Sequence, residues 1–408
     1  MANVPDISEF YKAHEAGRIM MDTDPTGRLV CFRYTEATAA HADWDDVTLN
    51  ARGIVFEKAT GDIVARPYTK FFNYHELFTE GELQAKTRQA LEHAGLPSKP
   101  EGRISYVLDK IDGSLGVGFF YDGEWYVSTQ GNFTSPQALF ATDWLRTHLA
   151  RAREKYSNDM ILDPNYTTLF EITWCKDRHP IRYGRDELVV IGLINKETGE
   201  ELKSHGLLCE LGFDLLGSRA PSSFRYRSIE EIAEVCKTLP HDKEGFVVTW
   251  ENGFKLKMKG DAYLRMLAFY EKCTEKNLWR AYDPVLDIFH AHMDSEHGYK
   301  FLDDEPLIIP EELTEVKERM EWFRDMFNKA YEYVKQQGAE IMAKIPDMKN
   351  RAIYINKNYH ESDRSPLLMQ VSPKRIDDCV KRAVVKTMLR PDENSNNDGF
   401  NAFFGYKE

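Results

Sequence analysis

Residues 105–131 read SYVLDKIDGSLGVGFFYDGEWYVSTQG, in which β-branched and aromatic runs (Ile104 to Leu108, Val117 to Tyr121) are broken by turn signals. The runs read as strands, and Tyr121-Asp122-Gly123-Glu124 between two of them reads as a hairpin turn. The same texture spreads outward in both directions. It recurs at GIVFEKATGDIVARP (53–67), with Ala59-Thr60-Gly61-Asp62 as its turn, then at TLFEITW (168–174), ELVVIGLINKETGEEL (187–202) and GFVVTWENGFKLKMKG (245–260). Helical stretches from Ser135 to Tyr156 and from Ser228 to Thr238 interrupt these antiparallel sheets, so the chain up to Gly260 reads as α+β.

Beyond Gly260 the periodicity changes. Leu313, Val316, Met320, Phe323, Phe327, Ala330 and Val334 step by three and four along one helical face, and Gly338 follows as a stop signal. A second helix is expected to start at Ser372-Pro373 and run to Leu389, ahead of Pro391. The predicted organisation is therefore an α+β domain over residues 1–262 and an all-helical C-terminal domain over 263–408. The polar run DENSNND from Asp392 to Asp398 reads as loose.

The 408 residues carry 53 Lys+Arg against 66 Asp+Glu, a net charge of −13. That balance argues against coating nucleic acid by bulk charge and leaves a local basic groove open. The first residues have neither a basic n-region nor an apolar h-region, and no apolar run is long enough to span a bilayer, so a cytoplasmic protein with no membrane partner is expected. Six scattered cysteines without a CxxC pair point to free thiols rather than disulfides or zinc.

The chemistry is concentrated at Lys110-Ile111-Asp112-Gly113-Ser114. A lysine at a strand end, followed by an acid and a glycine that lets a ligand approach the backbone, suits a nucleophile working beside a phosphate. Arg52-Gly53-Ile54-Val55-Phe56 and Lys70-Phe71-Phe72-Asn73 precede it; Phe170-Glu171, Glu244-Gly245-Phe246-Val247 and Lys257-Met258-Lys259 follow. In this order the motifs resemble the covalent nucleotidyltransferase superfamily of polynucleotide ligases and capping enzymes, and within it the bacteriophage T4 RNA ligase 1-like family, over roughly Tyr34 to Tyr263. The resemblance implies an antiparallel-sheet, ATP-grasp-like nucleotidyltransferase domain and an ATP-dependent RNA ligase. Such an enzyme joins 5′-phosphate and 3′-hydroxyl ends through lysyl-AMP and RNA-adenylate intermediates.

The resemblance also assigns roles. Lys110 is the nucleophile that takes AMP, and Lys257 and Lys259 contact the α-phosphate. Alternation along a strand puts those two on one face, where their charge would favour a neutral Lys110 amine, whose ordinary pKa is about 10.4. Lys255 shares their parity and reads as a solvated charge. Arg52 and Lys70 hold the leaving pyrophosphate, and Val247 packs on the purine. Asp112 and Glu244 are the carboxylates for Mg2+ or Mn2+. Glu171 contacts either the ribose or the metal.

The implied partner is single-stranded or nicked-loop RNA, such as a cleaved tRNA loop in RNA repair. No GxxxxGK[ST] motif is present, so end-healing is expected from a separate kinase or phosphatase. Arg375, Arg382, Lys386 and Arg390, spaced by seven, four and four, are expected on one side of the last helix as an RNA-docking face beside an apolar stripe of Ile376, Val380 and Val384. Two places depart from the family pattern. Gln130 stands where relatives often carry lysine, and WCKDRHPIRYG follows Glu171, with Arg178 or Arg182 as candidate substitutes for a missing cation and His179 read as structural. The alternatives are a relative that binds nucleotide or RNA without chemistry, and a DNA ligase or capping-type nucleotidyltransferase, both of which usually continue into a small β-barrel.

Overall fold

The computed structural model describes residues 4–155, 162–177, 179–272, 275–289 and 314–391. Leu313, Tyr156, Arg178 and the run from Asp392 to Asp398 lie outside them. The chain divides into two compact units, Met1–Arg265 and Met266–Glu408.

In the first unit, strands β1 (Ile19–Thr23), β2 (Leu29–Tyr34), β3 (Arg52–Glu57) and β4 (Ile63–Ala65) form an antiparallel meander. The runs of β2 and β3 are continuously apolar because both faces are covered. Val30, Phe32, Ile54 and Phe56 pack with Phe10 of the helix Ile7–Glu15. Leu29, Cys31 and Val55 pack on the other side against Val117, Phe119 and Leu169.

Strands β5 (Phe72–Asn73) and β6 (Ile104–Asp109) belong to a second sheet, while β7 (Ser114–Tyr121), β8 (Glu124–Thr129), β9 (Tyr166–Thr173) and β10 (Glu187–Asn195) make a third, in the order β10-β9-β7-β8. Asp122 and Gly123 both have positive φ, 50° and 84°, as the tight β7–β8 hairpin requires. Strands β11 (Ser223–Phe224), β12 (Gly245–Trp250) and β13 (Lys255–Lys259) complete the second sheet, in the order β11-β6-β12-β13-β5. One face of that sheet, with Val107, Phe246, Val248, Leu256 and Met258, packs on Ile232 and Cys236 of the helix Ile229–Thr238. Residues of opposite parity (Leu108, Val247 and the three lysines of β13) therefore turn to the other face.

The second unit departs from an all-helical domain. A short antiparallel pair, Tyr282–Asp283 with Ile288–Phe289, precedes the helices, because Tyr282 and Phe289 pack on Phe323 and Phe327. The long helix spans Thr314–Lys344 and buries Val316, Met320, Phe323, Phe327, Val334 and Ile341. It runs straight through Gly338, which is not a stop. A Cβ there would lie 2.3 Å from Gln370 Cγ of the helix Glu361–Gln370, so the glycine lets two helices approach.

The last helix starts at Asp377, not Ser372: Ser372–Arg375 form a turn, and the helix continues as a π-helical segment, Val384–Met388. Of the four basic residues expected on it, Arg375 precedes it and pairs with Asp377 at 2.7 Å, Arg390 follows it, and Arg382 and Lys386 stand on it, exposed. Ile376, at the N-cap, is 60% exposed and falls out of the expected apolar stripe, while Val380 and Val384 are buried. Among the described residues no helix is long and apolar enough to cross a membrane.

Candidate active site

Lys110 follows β6, and its backbone N–H donates to Gly245 O at 2.8 Å, which keeps the chain in register with β12. Gly245 has φ 141°, and a Cβ there would sit 2.0 Å from Met258 O, so only glycine lets β12 start where Glu244 meets the lysine. The Lys110 ammonium donates to Glu244 Oε2 at 2.6 Å, and Lys259 Nζ lies 3.0 Å from Oε1 of the same carboxylate, which is 2% exposed.

The charge balance corrects one expectation. Burial by itself would push the Lys110 amine down, but Glu244, Glu171 and Asp112 hold it above its ordinary value. Lys257, by contrast, is depressed by burial and then by Arg52, Lys70 and Lys110.

Lys257 lies on β13 opposite Val247, which is half-buried on β12 and also pairs with Leu108. Its Nζ sits 4.8 Å from the Phe71 ring centroid, and the Arg52 guanidinium sits 4.8 Å from that same ring. Among the described residues Lys257 has no hydrogen bond or ion pair, and Arg52 Nη1 is a buried donor without an acceptor. Lys70, 4.8–5.5 Å from the rings of Tyr34, Trp44 and Phe72, pairs weakly with Glu76 at 3.4 Å. Cations drawn this far out of water are costly without anions, so the cluster fits a polyphosphate. Gln130 packs its backbone against Gly53, next to Arg52.

Glu171, on β9, forms no hydrogen bond or ion pair among the described residues. Burial pushes its carboxyl up to about 7, with Lys110 pulling it down and Glu244 pushing it further up. An uncompensated oxygen donor of this kind suits a hard cation. No group of three or more His, Cys, Asp or Glu able to hold a metal occurs among the described residues.

The raised carboxyl makes a prediction. Its folded-state pKa exceeds the unfolded value, so its contribution to stability is full below about pH 4.5 and is lost as pH rises through about 7. Glu171→Gln removes that loss. The variant should be more stable than wild type by on the order of 2 kcal/mol at pH 8, with the gap closing toward pH 5 in thermal unfolding. Parallel pH profiles for the two proteins would refute the assignment.

Asp112 does not stand as an open metal ligand. Tyr263 Oη–H donates to its Oδ1 at 3.0 Å, the Ile181 N–H donates to Oδ2 at 3.0 Å, and His179 Nδ1 lies 3.6 Å from Oδ1. Its oxygens are directed at the protein. Lys255 is likewise not solvated: it is buried, 2.9 Å from Glu201 Oε2, and donates to Tyr106 and Thr249 hydroxyls. The sequence reading takes His179 as structural and does not single out Asp177, Tyr183 or Tyr263 as site residues. The only signal for the first three was the departure of WCKDRHPIRYG from the expected pattern. Arg375, Arg382, Lys386 and Arg390 belong to the second unit.

The family match and the curated relatives point to one family. Residues 50–263 match the model of the RNA ligase family of T4 RNA ligase 1 type. The chain is 28% identical over 250 residues to the inferred bifunctional polynucleotide kinase/RNA ligase of Autographa californica nuclear polyhedrosis virus, covering 59% of this chain and 32% of that protein. It is 26% identical over 200 residues to an inferred RNA ligase of Thermovibrio ammonificans, covering 48% of this chain and 46% of that one. The chain thus spans about a third to a half of the length of these relatives. Among solved structures, an archaeal ATP-dependent RNA ligase superposes with a TM-score of 0.44 at 18% identity, covering 66% of each chain.

Proposed function

The chain belongs to the RNA ligase family, and from that premise we propose that it is an ATP-dependent RNA ligase that joins 5′-phosphate and 3′-hydroxyl RNA ends through lysyl-AMP and RNA-adenylate. The observation that supports this most is the juxtaposition of the Lys110 amine with half-buried cations, Arg52 and Lys257 above all, that lack anionic partners among the described residues. In this reading the Lys110 ammonium passes its proton to Glu244, whose Oε2 lies 2.6 Å away, and the neutral amine attacks the α-phosphorus. The N–P bond forms as the bond to pyrophosphate breaks, and the leaving pyrophosphate is held by Arg52 and Lys70. Lys257 stabilises charge on the transferring group, and Val247 flanks the purine. A divalent cation, when bound, would be held by Glu171 with Glu244 nearby and would neutralise phosphate charge. AMP then passes to the 5′-phosphate, and a 3′-hydroxyl displaces it.

The test is incubation of the pure full-length protein with α-labelled ATP and magnesium, followed by denaturing electrophoresis. A covalently labelled band that pyrophosphate discharges is expected; its absence would leave a nucleotide- or RNA-binding relative without chemistry.

The RNA in this reading is single-stranded, as in a cleaved tRNA loop, and is held partly by Arg382 and Lys386. Reversing both to glutamate should raise the KM for RNA about tenfold and reduce its salt dependence, while the KM for ATP stays unchanged. Unaltered RNA affinity and salt slope would mark that helix face as a solvated surface only.

A further inference from the structure

The turn that carries Lys110 is held from outside by the segment that follows β9. The Ser114 hydroxyl donates to Asp177 Oδ2 at 2.6 Å, and Gln137 Nε2, from the helix Pro136–Lys155, donates to Asp177 Oδ1 at 2.9 Å. The Asp112 N–H donates to Tyr183 Oη at 2.8 Å, and the Ile181 N–H donates to Asp112 Oδ2 at 3.0 Å. His179 lies between the two carboxylates. Its Nε2 is 3.1 Å from Asp177 Oδ2 and 3.4 Å from Ser114 Oγ, and its Nδ1 is 3.6 Å from Asp112 Oδ1.

Both ring nitrogens thus face acceptors, an arrangement that an imidazolium satisfies and a neutral ring cannot. The aspartates are largely buried, with side-chain exposures of 7% and 12%, so they would repel one another without a cation between them. They also sit at Asp112 and beside Ser114, on either side of Gly113 in the turn.

We infer that His179 is a positioning residue for Lys110: it ties Asp112 to Asp177 and so fixes the Lys110–Ser114 turn that presents the amine to the site. Its contacts are to Asp112, Ser114 and Asp177, and it acts through the turn. The inference rests on the reading of Lys110 as the residue that takes AMP, and it predicts a division between reaction steps. Sealing of chemically pre-adenylylated RNA does not use the Lys110 amine, so a residue that positions only that amine leaves it largely intact.

His179→Ala should slow lysyl-AMP formation at saturating ATP by about 30-fold, while the KM for ATP and the rate of sealing pre-adenylylated RNA change by less than about threefold. The effect should be coupled to Asp177: in an Asp177→Asn background, His179→Ala should cost much less than in wild type. His179→Gln, which keeps one hydrogen bond without the charge, should fall between and carries the test should the alanine variant unfold at the assay temperature.

A second readout does not depend on ligation. Lys110, paired with Glu244, should be protected from acetylation by acetic anhydride relative to exposed lysines, and His179→Ala should raise its labelling several-fold by mass spectrometry. If the variants match wild type in both lysyl-AMP formation and Lys110 acetylation, or if both ligation steps fall equally, His179 is not a positioning residue. If wild type takes no AMP but His179→Ala still unmasks Lys110, the positioning holds and the ligase reading fails.

Discussion

Lys110→Ala is expected to yield a folded protein that takes no label from α-labelled ATP yet still seals pre-adenylylated RNA. The fold survives because Glu244 keeps its second partner: Lys259 lies 3.0 Å from its other oxygen, so no buried carboxylate is stranded. Labelling vanishes because the remaining amines near the site are committed elsewhere or out of line. Lys259 is paired with Glu244, Lys70 sits among three aromatic rings beside Glu76, and Lys257 stands over Phe71. Loss of the nucleophile should reduce adduct formation by at least about a thousandfold, below detection on a gel. The second activity survives because its attacking group is the RNA hydroxyl. Labelling of Lys110→Ala on another lysine would overturn the assignment, and equal loss of both activities would show that Lys110 serves the phosphate site as well as the first step.

Glu244→Ala should do the opposite and damage everything at once. Glu244 is 2% exposed and carries two lysines, so its removal leaves Lys110 and Lys259 as half-buried cations without that carboxylate, next to the already unpaired Lys257. Removing one partner of such a group typically costs about 3–5 kcal/mol, and the lower end is expected here because both lysine side chains retain some access to water. Released from Glu244, burial is free to push the Lys110 amine down, so the variant should contain more neutral amine at pH 7 than wild type. Lysyl-AMP formation and sealing of pre-adenylylated RNA should nevertheless both fall by a hundredfold or more, roughly the loss seen when one preorganised charge is removed from a transition state. Denaturant unfolding and the two assays on one preparation check this. A variant that seals pre-adenylylated RNA at the wild-type rate would confine Glu244 to a structural role, with Glu171 left as the acid of the site.

Local chemistry made much of the site legible in the sequence. Strand alternation placed Lys257 and Lys259 on one face, and the glycines and acids of the β7–β8 and β3–β4 turns marked both hairpins. Arg52, Lys70, Lys110, Glu171, Val247 and the two lysines of β13 lie near one another because the strands that carry or flank them do.

Alternation does not set a distance, however, and parity alone could not tell Lys255, matched by Glu201, from Lys257, which has no ion-pair partner among the described residues. The protonation of Lys110 depends on Glu244, 134 residues away in the chain, and the orientation of Asp112 depends on Tyr263, 151 residues away. Helix patterns failed where packing overrode a local signal. Gly338 reads as a terminator until Gln370 is found 2.3 Å from where its Cβ would be, and Ser372-Pro373 reads as a helix start although the backbone begins its helix at Asp377.

The sequence by itself therefore determined which residue types meet, in which order and on which strand faces, because these follow from the period of the backbone and the stereochemistry of turns. Only the tertiary structure decided which charges are paired, which carboxylate lacks a side-chain partner among the described residues and which groups surround His179. Each of those depends on groups brought within about 3 Å from distant parts of the chain, and electrostatic energy varies steeply over such distances.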